Sequence, residues 1–210
     1  NQRYAVKIPE GLDPAAAAPL LCGGITVYTP LKRFGVGPGK KVGVLGLGGL
    51  GHLAIKMSKA MGAHTVMLTS SPGKVGDAEK LGADDVVLTS NEEDVQAQAF
   101  SFDLIINTIS GPHSPDSFLT MLKRDCNLCF VGAPQTPIPV TISNLIVGDK
   151  IMSGSLIGGI PSTGEMLEFC AEHGITADIE MVNMDQVNEA WDRIEKNDVK
   201  YRFVLDLASL

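Results

Sequence analysis

The chain has 210 residues, of which 44% are hydrophobic and 20% charged, with a formal net charge of −7. An acidic chain with scattered lysines has no basic footprint for nucleic acid, and no apolar run reaches the ~20 residues of a membrane span. Its four cysteines are too sparse for the disulfide framework of a small secreted domain, so reduced thiols and a cytoplasmic location are expected.

Tyr4 to Leu12 reads as an extended segment and turn. Asp13-Pro14 then starts a helix, because aspartate caps free amides and proline suits the first helical position; Ala15 to Ala18 continue it. Pro19 to Leu31 predicts a second helical stretch, bounded by Pro30. The stretch that organises the chain follows. Val42 to Leu45 is a short apolar run, Gly46-Leu47-Gly48-Gly49-Leu50-Gly51 a glycine cluster, and His52 to Lys56 the opening of a helix. In a strand–turn–helix context Gly46 makes the turn, Gly48 lets a pyrophosphate approach the backbone, and Gly51 lets the helix lie close to the strand. The phosphates then sit over the free amides and positive dipole end of that helix. A tight turn without ligand uses the same glycines, but the flanking strand and helix favour a dinucleotide site.

Thr65 to Thr69 is a strand rich in β-formers, ending in Ser70-Ser71-Pro72-Gly73-Lys74. An NAD site places a carboxylate near this strand end to accept from the ribose hydroxyls. No Asp or Glu stands between Gly51 and Asp77. Thr69, Ser70, Ser71 and Lys74 offer hydroxyls and an ammonium instead, the chemistry of a 2′-phosphate and hence of NADP(H). A solvated polar turn is the plainer alternative.

Lys74 to Leu81 reads as a helix closed by Gly82, Asp85 to Leu88 as a short strand, and Asn91 to Ala99 as a polar helical connector. Phe102 to Ile109 is nearly continuous in apolar residues, as a strand covered on both faces is. A helix from Ser114 or Pro115 to Leu122 precedes a strand over Asn127 to Val131, and Ile151 to Ile157 supplies a sixth. Strands alternating with helices imply an α/β fold with a doubly wound parallel sheet that holds its ligand at the carboxyl ends of the strands. Thr108, Gly132, Ala133, Ser155 and Ile157 lie at such ends and are candidates for the nicotinamide half, or else residues that cap and turn. The sixth strand stands at the sheet edge, where an exposed apolar edge predicts pairing with a second copy. Gly164 to Glu172 and Met184 to Lys196 read as helices, the latter with Val187, Ala190, Trp191 and Ile194 on one face. Tyr201 to Leu207 alternates like a strand.

Ala18-Pro19-Leu20-Leu21-Cys22-Gly23-Gly24-Ile25-Thr26-Val27-Tyr28, Val36 to Val42, Gly46 to His52, Cys170 to Ile175 and Asp198 to Val204 occur in this order. In them the whole chain resembles the zinc-dependent, NADP-using cinnamyl alcohol dehydrogenase branch of the medium-chain dehydrogenases/reductases. The resemblance implies a Rossmann-type cofactor domain over residues 22–160. Residues 1–21 would then end the catalytic region and 161–210 return into it. The family's N-terminal, GroES-like catalytic region, with its Gly-His-Glu segment and structural zinc loop, has no counterpart in the sequence, so a fragment is expected. The resemblance further implies NADP(H) held by Gly46 to Gly51 and by Ser70, Ser71 and Lys74, with Arg202 approaching the phosphates. It places Cys22 as one ligand of a catalytic zinc and Thr26 beside the nicotinamide and metal. It also implies a homodimer and a small alcohol or aldehyde as substrate.

Cys126 and Cys129 have CxxC spacing but no second pair, and with Cys170 they read as small hydrophobes. His52 either packs on the turn or touches ligand; His64, His113 and His173 share no metal-ligand spacing. A zinc-free quinone or enone reductase and a non-catalytic NADPH-binding module are the alternatives to a zinc-assisted alcohol dehydrogenase. The Leu-Leu-Cys-Gly-Gly stretch counts against the first. These 210 residues are expected to bind NADPH without turning over alcohols or retaining stoichiometric metal, since Cys22 alone cannot build a zinc site.

Overall fold

Lys41–Leu45 (β1), His64–Thr69 (β2), Asp85–Leu88 (β3), Phe102–Asn107 (β4), Leu122–Phe130 (β5) and Ile151–Gly154 (β6) form one parallel sheet in the order β3-β2-β1-β4-β5-β6. The structure is a computed structural model that describes residues 1–210. Successive strand side chains point to opposite faces. Val42, Val44, Leu104 and Ile106 therefore enter one core, and Leu45, Val66, Leu68 and Ile105 a second. Pro14–Ala17 (α1), Gly23–Arg33 (α2), Gly51–Ala60 (α3), Val75–Lys80 (α4) and Ile160–Glu172 (α8) contribute to the first. Glu92–Ala97 (α5), Asp116–Met121 (α6) and Ile142–Ile146 (α7) cover the second. Leu53, Ile55 and Met57 of α3 are fully buried, each worth roughly 1.5–3 kcal/mol of apolar transfer. The first core runs without interruption from Leu20 through Ile25 to Met166 and Cys170.

The C-terminal segment folds back to the glycine-rich end of the sheet. Ile179–Asn183 (β7) pairs in parallel with Arg202–Asp206 (β8), with Val187–Glu195 (α9) between them in sequence. The first residue of β8 is thereby delivered to the carboxyl end of β1.

Several elements differ from the sequence reading. Pro30 lies inside α2 rather than at its end. Its ring removes one helical donor, a cost of ~3 kcal/mol in a free helix, but Tyr28 and Leu31 on either side are buried and hold the helix to the core. β5 begins at Leu122, ahead of the expected Asn127. Its register shifts between Phe102 and Leu104, and Asp125 sits at φ 57°, so the irregularity is spelled in the polar residues Lys123-Arg124-Asp125. α8 starts at Ile160, with Pro161 in its first turn. The expected helix from Lys74 is a 3-10 turn over Pro72–Lys74 followed by α4. Likewise Met184–Gln186 is a 3-10 turn ahead of α9.

Candidate functional site

The carboxyl end of β1 turns at Gly46, whose φ is +94°. A side chain there would be strained in conformation and would also meet Thr108 Oγ1 at 2.8 Å. Gly51 is required for a different reason: a Cβ on it would stand 2.0 Å from the Gly46 carbonyl oxygen, so only glycine lets α3 start this close to the strand. Above Gly48 there is open space, with no atom within 4 Å of where a Cβ would be. The amides of Gly48, Gly49 and Leu50 donate to no backbone or side-chain acceptor. Three free donors at the N-terminus of a buried helix, under open space, form an anion cradle.

His52 holds the cradle from beneath. Its ring is fully buried; Nδ1 donates to Gly48 O at 3.0 Å and Nε2 accepts from the Asp178 amide at 3.4 Å. Burial pushes its pKa down to about 4, so the ring is neutral at pH 7 and carries its proton on Nδ1. Tyr201 stacks on it with centroids 4.8 Å apart. Thus one imidazole bonds both the glycine turn and the returning segment. Burial first, then the Asp77 and Asp178 carboxylates, raise the Tyr201 phenol to about 12.

A cavity of about 660 Å³ opens over the turn. Three cations line it. Lys74 Nζ donates to Leu47 O at 3.0 Å, and Arg202 Nε donates to Gly49 O at 3.3 Å. Lys200 pairs with Asp77 across the opening at 2.5 Å. Of the residues read from the sequence, Gly46 to Leu50, Lys74, Thr108 and Arg202 border this cavity. Thr108 also secures the turn, donating to Leu45 O at 2.8 Å. Arg202 therefore reaches the glycine turn and is not a solvent-facing strand arginine.

Other expected residues lie around the cavity rather than in its wall. Thr69 Oγ1 accepts from the Ser71 amide at 3.2 Å, shaping the turn that carries Ser70 and Ser71. Gly132 packs on the chain after β4, where a Cβ would be 2.3 Å from Ile109 O; Ala133 follows it. Ser155 donates its amide to Phe130 O at 3.0 Å, and Ile157 is exposed. Cys22 is exposed at the N-terminus of α2, beside Gly23, whose Cβ position is 3.4 Å from Gly49 O. Thr26 is buried one turn later, its hydroxyl donating to Cys22 O at 2.7 Å. Among the cavity residues that sequence reading missed are Asp77, Lys200 and Tyr201; only the tertiary return of β8 brings the latter two to the turn.

The remaining thiols and imidazoles are accounted for locally. Cys129 and Cys170 are buried, and burial raises both thiols, Cys170 to about 12. His64 faces Asp85, His113 faces Asn107, and His173 bonds Phe169 O.

Residues 49–172 match the family described as "Zinc-binding dehydrogenase". The chain belongs to the zinc-binding dehydrogenase family. Aldehyde reductase YahK of Escherichia coli is 53% identical over all of this chain and 61% of its own length. NADP-dependent alcohol dehydrogenase C 1 of Mycolicibacterium smegmatis is 48% identical over all of this chain and 60% of its own. Among solved structures, a cinnamyl alcohol dehydrogenase of Sorghum bicolor matches with a TM-score of 0.96 and 45% identity, over 99% of this chain and 60% of that one. The crystal structure of CAD from Helicobacter pylori complexed with NADP(H) matches with a TM-score of 0.86 and 31% identity, over 97% and 58%. The chain thus spans about 60% of the length of such relatives. The family's zinc requires three protein ligands and an open position at a catalytic site. No three His, Cys, Asp or Glu side chains of this chain cluster to supply them. Taken alone, its residues do not form a zinc centre.

Proposed function

We propose that the chain is the cofactor-binding part of an NADP(H)-dependent alcohol dehydrogenase or aldehyde reductase. Residues 22–160 form the dinucleotide unit, and 161–210 return over it as one wall of the cleft. The observation that carries this reading is the cradle of three unclaimed amides beneath open space at Gly48. In this role the amides of Gly48, Gly49 and Leu50 donate to the pyrophosphate, and the Arg202 guanidinium exchanges the Gly49 carbonyl for a phosphate oxygen. Lys74, with Ser70 and Ser71, takes the 2′-phosphate; no carboxylate between residues 52 and 76 stands ready for free ribose hydroxyls.

When bound, NADPH supplies the hydride that reduces an aldehyde to an alcohol. Thr26, Thr108, Gly132, Ala133, Ser155 and Ile157 border the nicotinamide half of the cleft in this reading. Cys22 is the one metal donor that the chain contributes in this reading. The names and cofactor of the relatives support the substrate class and the choice of NADP(H). We also assign β6 as a two-fold interface: it is the sheet edge, and Ile146, Ile151, Leu156 and Ile157 beside it are exposed.

Titration of the protein with NADPH and with NADH, followed by nicotinamide fluorescence, tests the reading. Saturable binding with a clear NADPH preference is expected. Equal affinity for both cofactors removes the 2′-phosphate assignment, and no binding of either removes the cofactor assignment.

A further inference from the structure

Asp77 is the first carboxylate after the glycine turn, and it lines the same cavity as Lys74. Its position has a local reason: it stands in the first turn of α4, where a negative charge complements the helix dipole. The same position puts an anion on the wall to which the proposed function brings a 2′-phosphate. Its charge is felt inside the cavity, since it is one of the two carboxylates that raise the Tyr201 phenol.

Lys200 meets this carboxylate from the opposite wall, its Nζ 2.5 Å from Asp77 Oδ2. Asp77 has no other ionic partner, and its side chain is 22% exposed against 66% for Lys200. An exposed pair of this kind contributes little to folding stability. Its effect on a doubly charged ligand beside it is larger, because an unpaired carboxylate repels the phosphate directly. We propose that Lys200 is a specificity-determining residue that acts through Asp77: by pairing with it, the returning segment cancels the one carboxylate on the cavity wall and makes that wall acceptable to a 2′-phosphate. The inference rests on the NADP(H) reading above. It also gives the C-terminal segment a part in cofactor choice, in addition to the Ser70-Ser71-Lys74 turn.

The test is a double-mutant cycle on dissociation constants for NADPH and NADH, with thermal melts to check that each variant is folded. Lys200→Met is expected to weaken NADPH about tenfold while leaving NADH within about twofold. Asp77→Asn alone is expected to tighten NADPH by about threefold, because it frees the Lys200 charge. In the double variant NADPH affinity returns to near the wild-type value. A loss in Lys200→Met that persists in the double variant means that Lys200 touches the phosphate itself, and overturns the proposal. No loss in Lys200→Met, or equal loss of both cofactors, overturns it as well. The wild-type preference reports separately on the cofactor reading: a protein that prefers NADPH but ignores Lys200→Met keeps that reading and loses this one.

Discussion

Replacing Gly48 and Gly51 in turn separates the space a ligand needs from the space the fold needs. Gly48 does not occupy the left-handed region, and nothing lies within 4 Å of its Cβ position. Gly48→Ala is therefore expected to leave folding stability within about 0.5 kcal/mol of wild type, or to raise it slightly by restricting the unfolded chain. The new methyl fills the volume assigned to the pyrophosphate. Displacing a close-packed phosphate by a methyl costs about 1–3 kcal/mol, a loss of roughly fivefold to 150-fold in NADPH and NADH affinity alike. Gly51→Ala is the opposite case. Its Cβ would lie 2.0 Å from the Gly46 carbonyl, and neither the backbone of the turn nor the buried α3 can yield cheaply, so a loss of about 3 kcal/mol or more is expected. Urea unfolding and fluorescence titration of both variants are the assays. A Gly48→Ala protein that binds NADPH like wild type refutes the placement of the pyrophosphate, and one that unfolds early refutes the open space above the turn.

Further perturbations address the cations, the imidazole and the edge. Lys74→Ala is expected to weaken NADPH by roughly tenfold to a hundredfold, the loss of one charge-assisted hydrogen bond, with little change for NADH; parallel titrations check it. His52 is depressed from an ordinary value near 6.5 to about 4 by burial, so the unfolded chain binds the proton more readily. Its contribution is complete above about pH 6.5 and declines as pH falls to about 4, by about 3 kcal/mol in all. His52→Asn keeps a donor near Gly48 O and should lose this dependence, so the stability gap between the two proteins measured by urea unfolding narrows as pH falls from 7 to 4. If the gap stays constant, the imidazole titrates as it does in water. Leu156→Asp, at the exposed end of the β6 edge, is expected to convert a sedimenting dimer to the mass of one chain. A wild-type protein that already sediments as one chain at micromolar concentration rules out that interface.

The legible part of the fold is the part in which one periodicity applies over several residues. β1, β2 and β4 are buried on both faces, so their apolar runs are continuous and each strand appears where Val42, Val66 and Leu104 mark it. Much of the glycine turn is legible for a similarly local reason: Gly46 turns the chain at φ +94°, Gly51 meets the carbonyl of Gly46 and Gly48 lies under open space, whereas Gly49 answers to Arg202 from the far end of the chain. β5 was read short because its first half is a bulged, polar stretch paired only at Leu122 before the register shifts. α2 was cut at Pro30 because local propensity cannot see that Tyr28 and Leu31 are packed in the core. β7 carries no comparable signature in the sequence. Its residues Ile-Glu-Met-Val-Asn alternate weakly, and its pairing partner lies across α9, so what makes it a strand is the tertiary return of β8.

That return also explains why the site was only half visible. Sequence spacing can place Gly46 to Gly51 and Lys74 near one strand end, because fewer than thirty residues of regular βαβ structure connect them. Tyr201 and Arg202 arrive from the far end of the chain, and no spacing rule governs them. Their arrival is instead written into the side of α3 that faces the return. His52 accepts from the Asp178 amide and stacks on Tyr201, while Lys56 one turn later donates to Thr176 O at 3.0 Å and pairs with Asp178 at 2.5 Å. The helix that opens the anion cradle at its N-terminus thus fixes the second wall of the cleft with the next turn of the same face. A change to this face should disturb cofactor affinity even where it touches no ligand. Lys56→Met, which removes both bonds to the return without altering the glycine turn, should weaken NADPH and NADH together and raise amide exchange in β7 and β8. Loss of NADPH affinity alone, with β7 and β8 still protected, would place Lys56 on the phosphate and separate the second wall from α3.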